Sequence, residues 1–219
     1  TIRCSEPQSS YSISIYACAD IKLAKDPDWD HESEQFVQNM IILFNKPFNV
    51  LSQFTDNSNH SAERKTLSHF INIKQVYSAG RLDLDSEGLL ILTDDGSLQS
   101  KISSPKFKID KTYLVQVEGI PTEKDLQALR KGLELKDGLT KPAKAQTIEE
   151  PKWLWERTPP IRVRKTIPDS WIELKIREGK NRQVRRMTAN IGFPTLRLIR
   201  TSIGEWKLGD LKPGDFKVL

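Results

Sequence analysis

An α+β fold with a mixed, mainly antiparallel sheet is what the sequence predicts, and three observations carry the prediction. Apolar runs of strand length recur along the chain, helical spacing appears in few segments, and strands follow one another in runs instead of alternating with helices as βαβ units do. With 219 residues, 37% hydrophobic and 29% charged, the chain suits one domain of ordinary size or two small lobes sharing a cleft.

Residues 1–39 show no sustained period and are predicted to form a mobile tail, with a short ordered piece around Ser12 to Ala19. Met40 to Phe44 is a compact buried-strand run ended by Asn45-Lys46-Pro47. Thr66 to Ile73 reads as a short helix with Leu67, Phe70 and Ile71 on one face. Gly88 to Thr93 is a second buried strand, closed by the turn Asp94-Asp95-Gly96. Tyr113 to Val117 alternates as a half-buried strand. It is followed by a helix with Thr122 as N-cap, Asp125 in its first turn and Leu126, Leu129 and Leu133 at helical spacing. Pro151 to Pro168 reads as an irregular, basic, exposed loop. Ile172, Leu174 and Ile176 share one face of a strand, and a helix from about Arg182 to Asn190 is stopped by Gly192 and Pro194. Strands at Thr195 to Thr201 and Phe216 to Leu219 complete the chain.

No apolar run exceeds five residues, the length of Met40 to Phe44 and far short of a membrane span, and the N-terminal residues lack the pattern of a secretory signal. Two cysteines, Cys4 and Cys18, are too few for a disulfide framework or a structural zinc site. A soluble cytoplasmic protein is expected. Net charge is +5 and uneven. Three of the 34 Lys and Arg and seven of the 29 acids fall in residues 1–39, leaving 31 and 22, a net +9, for residues 40–219. Such a basic body suits a polyanionic partner, since each phosphate contact releases counterions.

Three segments can carry chemistry. Gly80-Arg81-Leu82-Asp83-Leu84-Asp85-Ser86-Glu87-Gly88 places an arginine, three acids and a serine between two glycines beside a buried strand. Spacing alone leaves it open to three readings: a solvated acidic turn, a nucleophilic or basic Asp83, or a Mg²⁺ site on Asp83 and Asp85. Glu178 to Met187 puts Val184, Met187 and Ile191 on a buried stripe and Arg182, Arg185 and Arg186 on another face. Cations in the first turns oppose the helix dipole, which implies an anion nearby, either RNA phosphate or a protein carboxylate. Tyr113, beside Lys111 and Thr112, is open to two readings, a packing residue or a stacking platform for an extruded base. The histidines His31, His60 and His69 lack metal-ligand spacing, and no Walker loop or dinucleotide fingerprint is present.

Together these segments resemble the RsuA family of pseudouridine synthases: Gly80 to Gly96 its catalytic motif, Phe44-Asn-Lys-Pro47 its opening segment, Glu178 to Met187 its closing motif, and Leu211 to Leu219 its terminal strand. The likeness runs from Met40 to Leu219. It implies a catalytic domain over 40–219 in two lobes with a central cleft, preceded by an acidic tail in place of the S4 RNA-binding domain most members carry. That acidity departs from the basic arm expected of an RNA binder. The activity implied is isomerisation of a uridine in large-subunit (23S) ribosomal RNA to pseudouridine, by a monomer with no membrane partner. Because the product is an isomer, no cofactor or metal is expected. The resemblance makes Asp83 the nucleophile or base at the ribose, with Arg185 paired to it. Tyr113 stacks on the uracil and assists proton removal from C5, Leu198 packs on the other face, and Arg81 fills the place of the flipped nucleotide. Lys180, Arg182, Arg186 and Lys46 are the expected RNA-binding residues, and the basic loop from Arg157 to Lys165 the expected selector of RNA. A Mg²⁺-dependent nuclease built on Asp83, Asp85 and Glu87, or a catalytically silent RNA-binding module, are the competing readings.

Overall fold

The computed structural model describes residues 39–58, 64–161 and 166–219. The expected tail therefore lies outside the described residues save for Asn39, as do Arg162, Arg164 and Lys165 of the basic loop. The elements in chain order are β1 (Ile41–Lys46), β2 (Tyr77–Ser78), β3 (Glu87–Thr93), α1 (Gly96–Ser103), β4 (Lys111–Glu118), α2 (Glu123–Lys131), β5 (Glu134–Leu135) and β6 (Gly138–Leu139). They continue with β7 (Lys144–Ile148), β8 (Asp169–Ile176), α3 (Gln183–Asn190), β9 (Thr195–Ile203), β10 (Trp206–Lys207) and β11 (Phe216–Val218).

Nine of these strands make one sheet in the order β11-β1-β3-β9-β4-β8-β7, with β2 on β3 and β10 on β9. Every pairing is antiparallel except β3 with β9. That parallel contact is short, Glu87 opposite Ile199 and Gly88 opposite Arg200, and it joins a β11-β1-β3 half to a β9-β4-β8-β7 half. A Cβ on Gly88 would lie 2.3 Å from the Arg200 carbonyl oxygen, and Gly88 sits at φ +97, so only glycine allows this approach.

Strand alternation gives each half two packed faces. In the first half, Ile42, Phe44, Leu90 and Leu92 pack on Leu67, Ile71 and Val76, while Leu43, Leu89 and Ile91 pack on Ile102, Ile203 and Leu208. In the second, Tyr113, Val115, Leu174 and Leu198 pack against Leu126 and Leu129 of α2 and Val184 and Met187 of α3. Its other face, with Leu114, Trp171 and Ile199, is covered by Ile148, Leu154 and Trp155.

The predicted helix over Thr66 to Ile73 is a single 3-10 turn, Leu67–His69. Thr66 and His69 cap it reciprocally, and one turn already delivers Leu67 and Ile71 to the core, so nothing drives the helix onward. The expected turn at Asp94-Asp95-Gly96 instead starts α1: Asp95 is its N-cap, accepting from the Ser97 amide at 2.7 Å. Only Leu98 and Ile102 mark its apolar side, too sparse a stripe to read as helix. Thr122 caps α2 with Asp125 in a reciprocal box as predicted.

Lys46, expected among the RNA-binding residues, is corrected by its burial: it has no exposed surface. Its Nζ donates to the carbonyls of Val50 (2.7 Å), Pro47 (2.9 Å) and Leu84 (3.5 Å), tying the loop after β1 to the loop before β3. Burial pushes its amine from 10.5 down to about 7, against the opposing pull of Glu87, Asp85 and Asp83.

Two outcomes follow from this architecture. Gly88→Ala should destabilise the fold by about 3 kcal/mol, combining backbone overlap with a strained positive φ, as read by urea denaturation. For Lys46, the unfolded chain holds more protons than the native one between about 7 and 10.5. Wild type should therefore gain stability relative to Lys46→Met as pH rises through that window. Urea midpoints that stay parallel from pH 7 to 10 would contradict it.

Candidate active site

A cleft of about 700 Å³ opens where the two halves of the sheet meet. Its wall combines the loop before β3 (Arg81, Leu82, Asp83), β4 (Lys111, Tyr113), the approach to α3 (Lys180, Arg182, Val184) and β9 (Leu198, Arg200). Leu198 and Arg200 alternate with Arg197 and Ile199, which sends the first pair to the cleft and the second to the opposite face.

Asp83 sits on a loop fixed from several sides. Ser52 brackets Leu82, its Oγ accepting from the Leu82 amide (3.1 Å) and donating to the Leu82 carbonyl (2.8 Å). The Leu84 carbonyl accepts from the Asn49 amide at 2.9 Å, and the Ser86 amide donates to the Asp83 carbonyl at 3.0 Å. Arg185 Nη2 donates to the Asp85 carbonyl at 2.7 Å. The backbone around Asp83 is thus held while its side chain stays about a third exposed, its carboxylate accepting no hydrogen bond among the described residues. A reactive carboxylate needs that combination of a fixed origin and a free tip.

The structure rearranges the expected cationic partners. Arg182, expected on phosphate, is the cation within ion-pair reach of Asp83, at 3.7 Å. It also grips Asp85 through two hydrogen bonds of 3.0 and 2.8 Å. Arg185, expected to pair with Asp83, instead meets Asp85 at 3.4 Å and the loop backbone. The reason is register: Arg182 is the N-cap of α3 at φ 46, which aims its side chain out across the loop, whereas Arg185, a turn later, lies half-buried beneath it. Burial raises the Asp85 carboxyl, but the hydrogen bonds from Arg182 and the charges of Arg185 and Arg182 outweigh it and hold the group below the usual carboxylate value. Burial lowers the Arg185 guanidinium.

Arg186 forms a two-bond pair with Asp137 at 2.6 and 2.9 Å, and Lys180 Nζ donates to the Asp137 carbonyl at 3.1 Å. These two expected RNA-binding residues are therefore engaged by the β5–β6 hairpin. The anions that the cationic start of α3 implied are protein carboxylates, Asp85 and Asp137. Arg81 is exposed at the cleft rim. Tyr113 and Leu198 are buried with their surfaces on the cleft. A register shift between Thr112 and Tyr113 against β9 re-aims the tyrosine, which the sequence pattern of β4 does not reveal. In the expected basic loop, Arg157 donates to the carbonyls of Pro159 and Pro160 and lies 4.3 Å over the Phe48 ring.

Sequence reasoning missed Arg200 and Lys111 as site residues. Arg200 is 3% exposed and donates to the Leu89 carbonyl, while its Nη2 lacks a hydrogen-bond partner among the described residues. Lys111 lines the same cleft from β4, its amine lowered by burial and then by the Arg200 charge. Their signal was available, as basic residues at inward positions of otherwise apolar strands. Among the described residues no group of His, Cys, Asp or Glu could hold a metal, and no helix is long and apolar enough to cross a membrane.

The chain matches known proteins across this same region. The family model for RNA pseudouridylate synthase matches residues 40–190. The ribosomal large subunit pseudouridine synthase E of Vibrio vulnificus (strain CMCP6) is 56% identical over 193 residues, 88% of this chain and 80% of that protein. The enzyme of the same name from Xanthomonas campestris pv. campestris is 55% identical over 179 residues, 82% of this chain and 95% of that one. A solved pseudouridylate synthase superposes with a TM-score of 0.68 at 30% identity, covering 83% of this chain and 70% of its own. The family model matches well over half of the chain, and the relatives are matched over most of their own length: the chain belongs to the RNA pseudouridylate synthase family.

Proposed function

We propose that this protein isomerises a uridine of large-subunit ribosomal RNA to pseudouridine, with Asp83 as the reacting carboxylate. The observation that carries the reading is the convergence in one cleft of a fixed but unliganded Asp83, a buried Tyr113 and Leu198, and an exposed Arg81, drawn from three segments far apart in sequence. The choice of RNA rests on the relatives, several of which are named ribosomal large subunit pseudouridine synthases.

The target uridine leaves its stack, because C1′ and the base are shielded within a helix. Arg81 fills the space it leaves. Tyr113 and Leu198 sandwich the uracil, and stacking on an aromatic ring contributes about 1–3 kcal/mol per base. Asp83 attacks C1′ or removes a proton at C2′, and in either route the N1–C1′ bond breaks. The uracil turns in the cleft and joins C1′ through C5; in the first route this displaces Asp83 and breaks its bond to C1′, and in the second Asp83 returns its proton to C2′. The proton on C5 is lost to solvent with the Tyr113 hydroxyl assisting its removal, and N1 takes one up from solvent. Atoms and electrons balance without oxidant, metal or energy source. Arg182 places a guanidinium 3.7 Å from the Asp83 carboxylate. The protein acts as a cytoplasmic monomer, its catalytic domain spanning 40–219, and the residues from Arg157 to Lys165 contribute to choosing the RNA.

The decisive test is pseudouridine mapping of ribosomal RNA from cells lacking the protein, complemented with wild type or Asp83→Asn. Wild type should restore a missing modification, and Asp83→Asn should lower the rate by roughly 10³-fold or more while leaving RNA affinity intact. Restoration by the mutant would sink the mechanism. Purified enzyme should keep its full rate in the presence of a chelator, whereas a metal-dependent nuclease on Asp83 and Asp85 would lose it.

A further inference from the structure

The face of the sheet opposite the cleft carries an arrangement that the proposed chemistry does not use. Glu87 follows the catalytic loop directly and opens β3, with its side chain almost wholly buried. Arg197 closes on it in a two-bond ion pair, Nε to Oε2 at 2.8 Å and Nη2 to Oε1 at 3.0 Å. A third donor comes from far along the chain: the indole Nε1 of Trp155 donates to Glu87 Oε1 at 2.8 Å. The Trp155 ring also stands 5.5 Å from the Arg197 guanidinium.

Trp155 belongs to the segment after β7, which has no helix or strand among its described residues, yet it reaches both halves of the sheet. It packs on the Leu43, Leu89 and Ile91 face of the first half and on the Leu114, Trp171 and Ile199 face of the second. Two residues on, Arg157 stacks on Phe48 in the loop after β1. The segment is therefore a strap across the parallel β3–β9 junction, the narrowest connection between the halves.

We infer that Trp155 is a positioning residue for the catalytic loop, its indole N–H fixing the Glu87 carboxylate from behind the sheet so that Asp83 is presented to the cleft. A carboxylate with one bidentate arginine still swings about that arginine; a third donor on Oε1 from a different direction removes the freedom. Glu87 is four residues from Asp83, and the intervening turn is closed by the Ser86 amide on the Asp83 carbonyl, so motion of one is passed to the other. Reactivity depends sharply on such placement, since an error of about 1 Å can cost about 10²-fold in rate. The inference rests on the proposed activity for its kinetic consequence but not for its structural one.

The test compares Trp155→Phe, which keeps the ring packing and removes the donor, with Trp153→Phe and Glu87→Gln. Trp153 is a suitable control because it is exposed and 6.1 Å from Trp155, outside the catalytic machinery. Single-turnover rates on an unmodified large-subunit rRNA transcript, RNA dissociation constants and backbone amide NMR of residues 83–86 are the readouts. Trp155→Phe should slow turnover by about tenfold, leave RNA affinity unchanged, and shift or broaden the amides of 83–86. Trp153→Phe should match wild type. Trp155→Phe added to Glu87→Gln should slow the reaction by less than the product of the two single effects, because both act on one network centred on the Glu87 side chain. A Trp155→Phe rate equal to wild type, a parallel loss of RNA affinity, additive effects or failure to fold would each overturn the inference. Should wild type itself make no pseudouridine, the activity reading falls, while the amide response of Trp155→Phe still decides the positioning.

Discussion

The two-residue parallel contact between β3 and β9 is the constraint on which the rest of the molecule depends. Its shortness makes the cleft: a longer pairing would close the sheet over the space where Asp83, Tyr113 and Leu198 face one another. Its closeness requires Gly88, whose missing side chain lets the two backbones touch. The two segments flanking this contact supply site residues, the loop ending at Ser86 on one strand and Leu198 and Arg200 on the other. Fold and site are thus set by one packing decision.

Around that junction the protein places charge where an apolar core would be simpler. Lys46 is buried among carbonyls, Glu87 and Arg197 are buried as a pair, and Arg200 and Lys111 line the cleft floor. Buried charges of this kind are weak contributors to net stability, because desolvation offsets the attraction. Their value lies in direction: Lys46 ties two loops to β1, and Arg197 and Arg200 tie β9 to β3. Lys46 holds the Leu84 carbonyl, Arg185 holds the Asp85 carbonyl, and the Asp83 carboxylate beside them accepts no hydrogen bond among the described residues.

Much of this was legible in the sequence, for reasons that can be named. The β1, β3, β4, β8 and β9 cores announced themselves as apolar runs, and α2 by its capping box, since local chemistry determines such elements. The loop around Asp83, Tyr113 and the cationic start of α3 were visible as types and positions. Pairing was not. Arg185 was matched to Asp83 because a sequence motif carries no rotamer and no register; the left-handed Arg182 at the N-cap decides that geometry. Lys46 looked like an exposed base because its three carbonyl partners are main-chain groups that no side-chain pattern encodes. Helix α1 escaped because its apolar stripe is two residues wide, and Trp155 looked like part of an exposed loop because its partner Glu87 lies 68 residues away.

The pairing of α3 cations with Asp85 and Asp137 bears on how a basic protein avoids the wrong polyanions. These carboxylates are tethered competitors, present at the high effective concentration of an intramolecular partner, so a passing phosphate must displace them to gain Arg182 or Arg186. A random stretch of nucleic acid offers one phosphate for one carboxylate and little advantage. A correctly shaped RNA that presents several phosphates at once, and places a nucleotide in the cleft, can make the exchange worthwhile at every position together. The helix would then be electrostatically quiet until the right shape arrives, with selectivity residing in the simultaneous release of its internal partners.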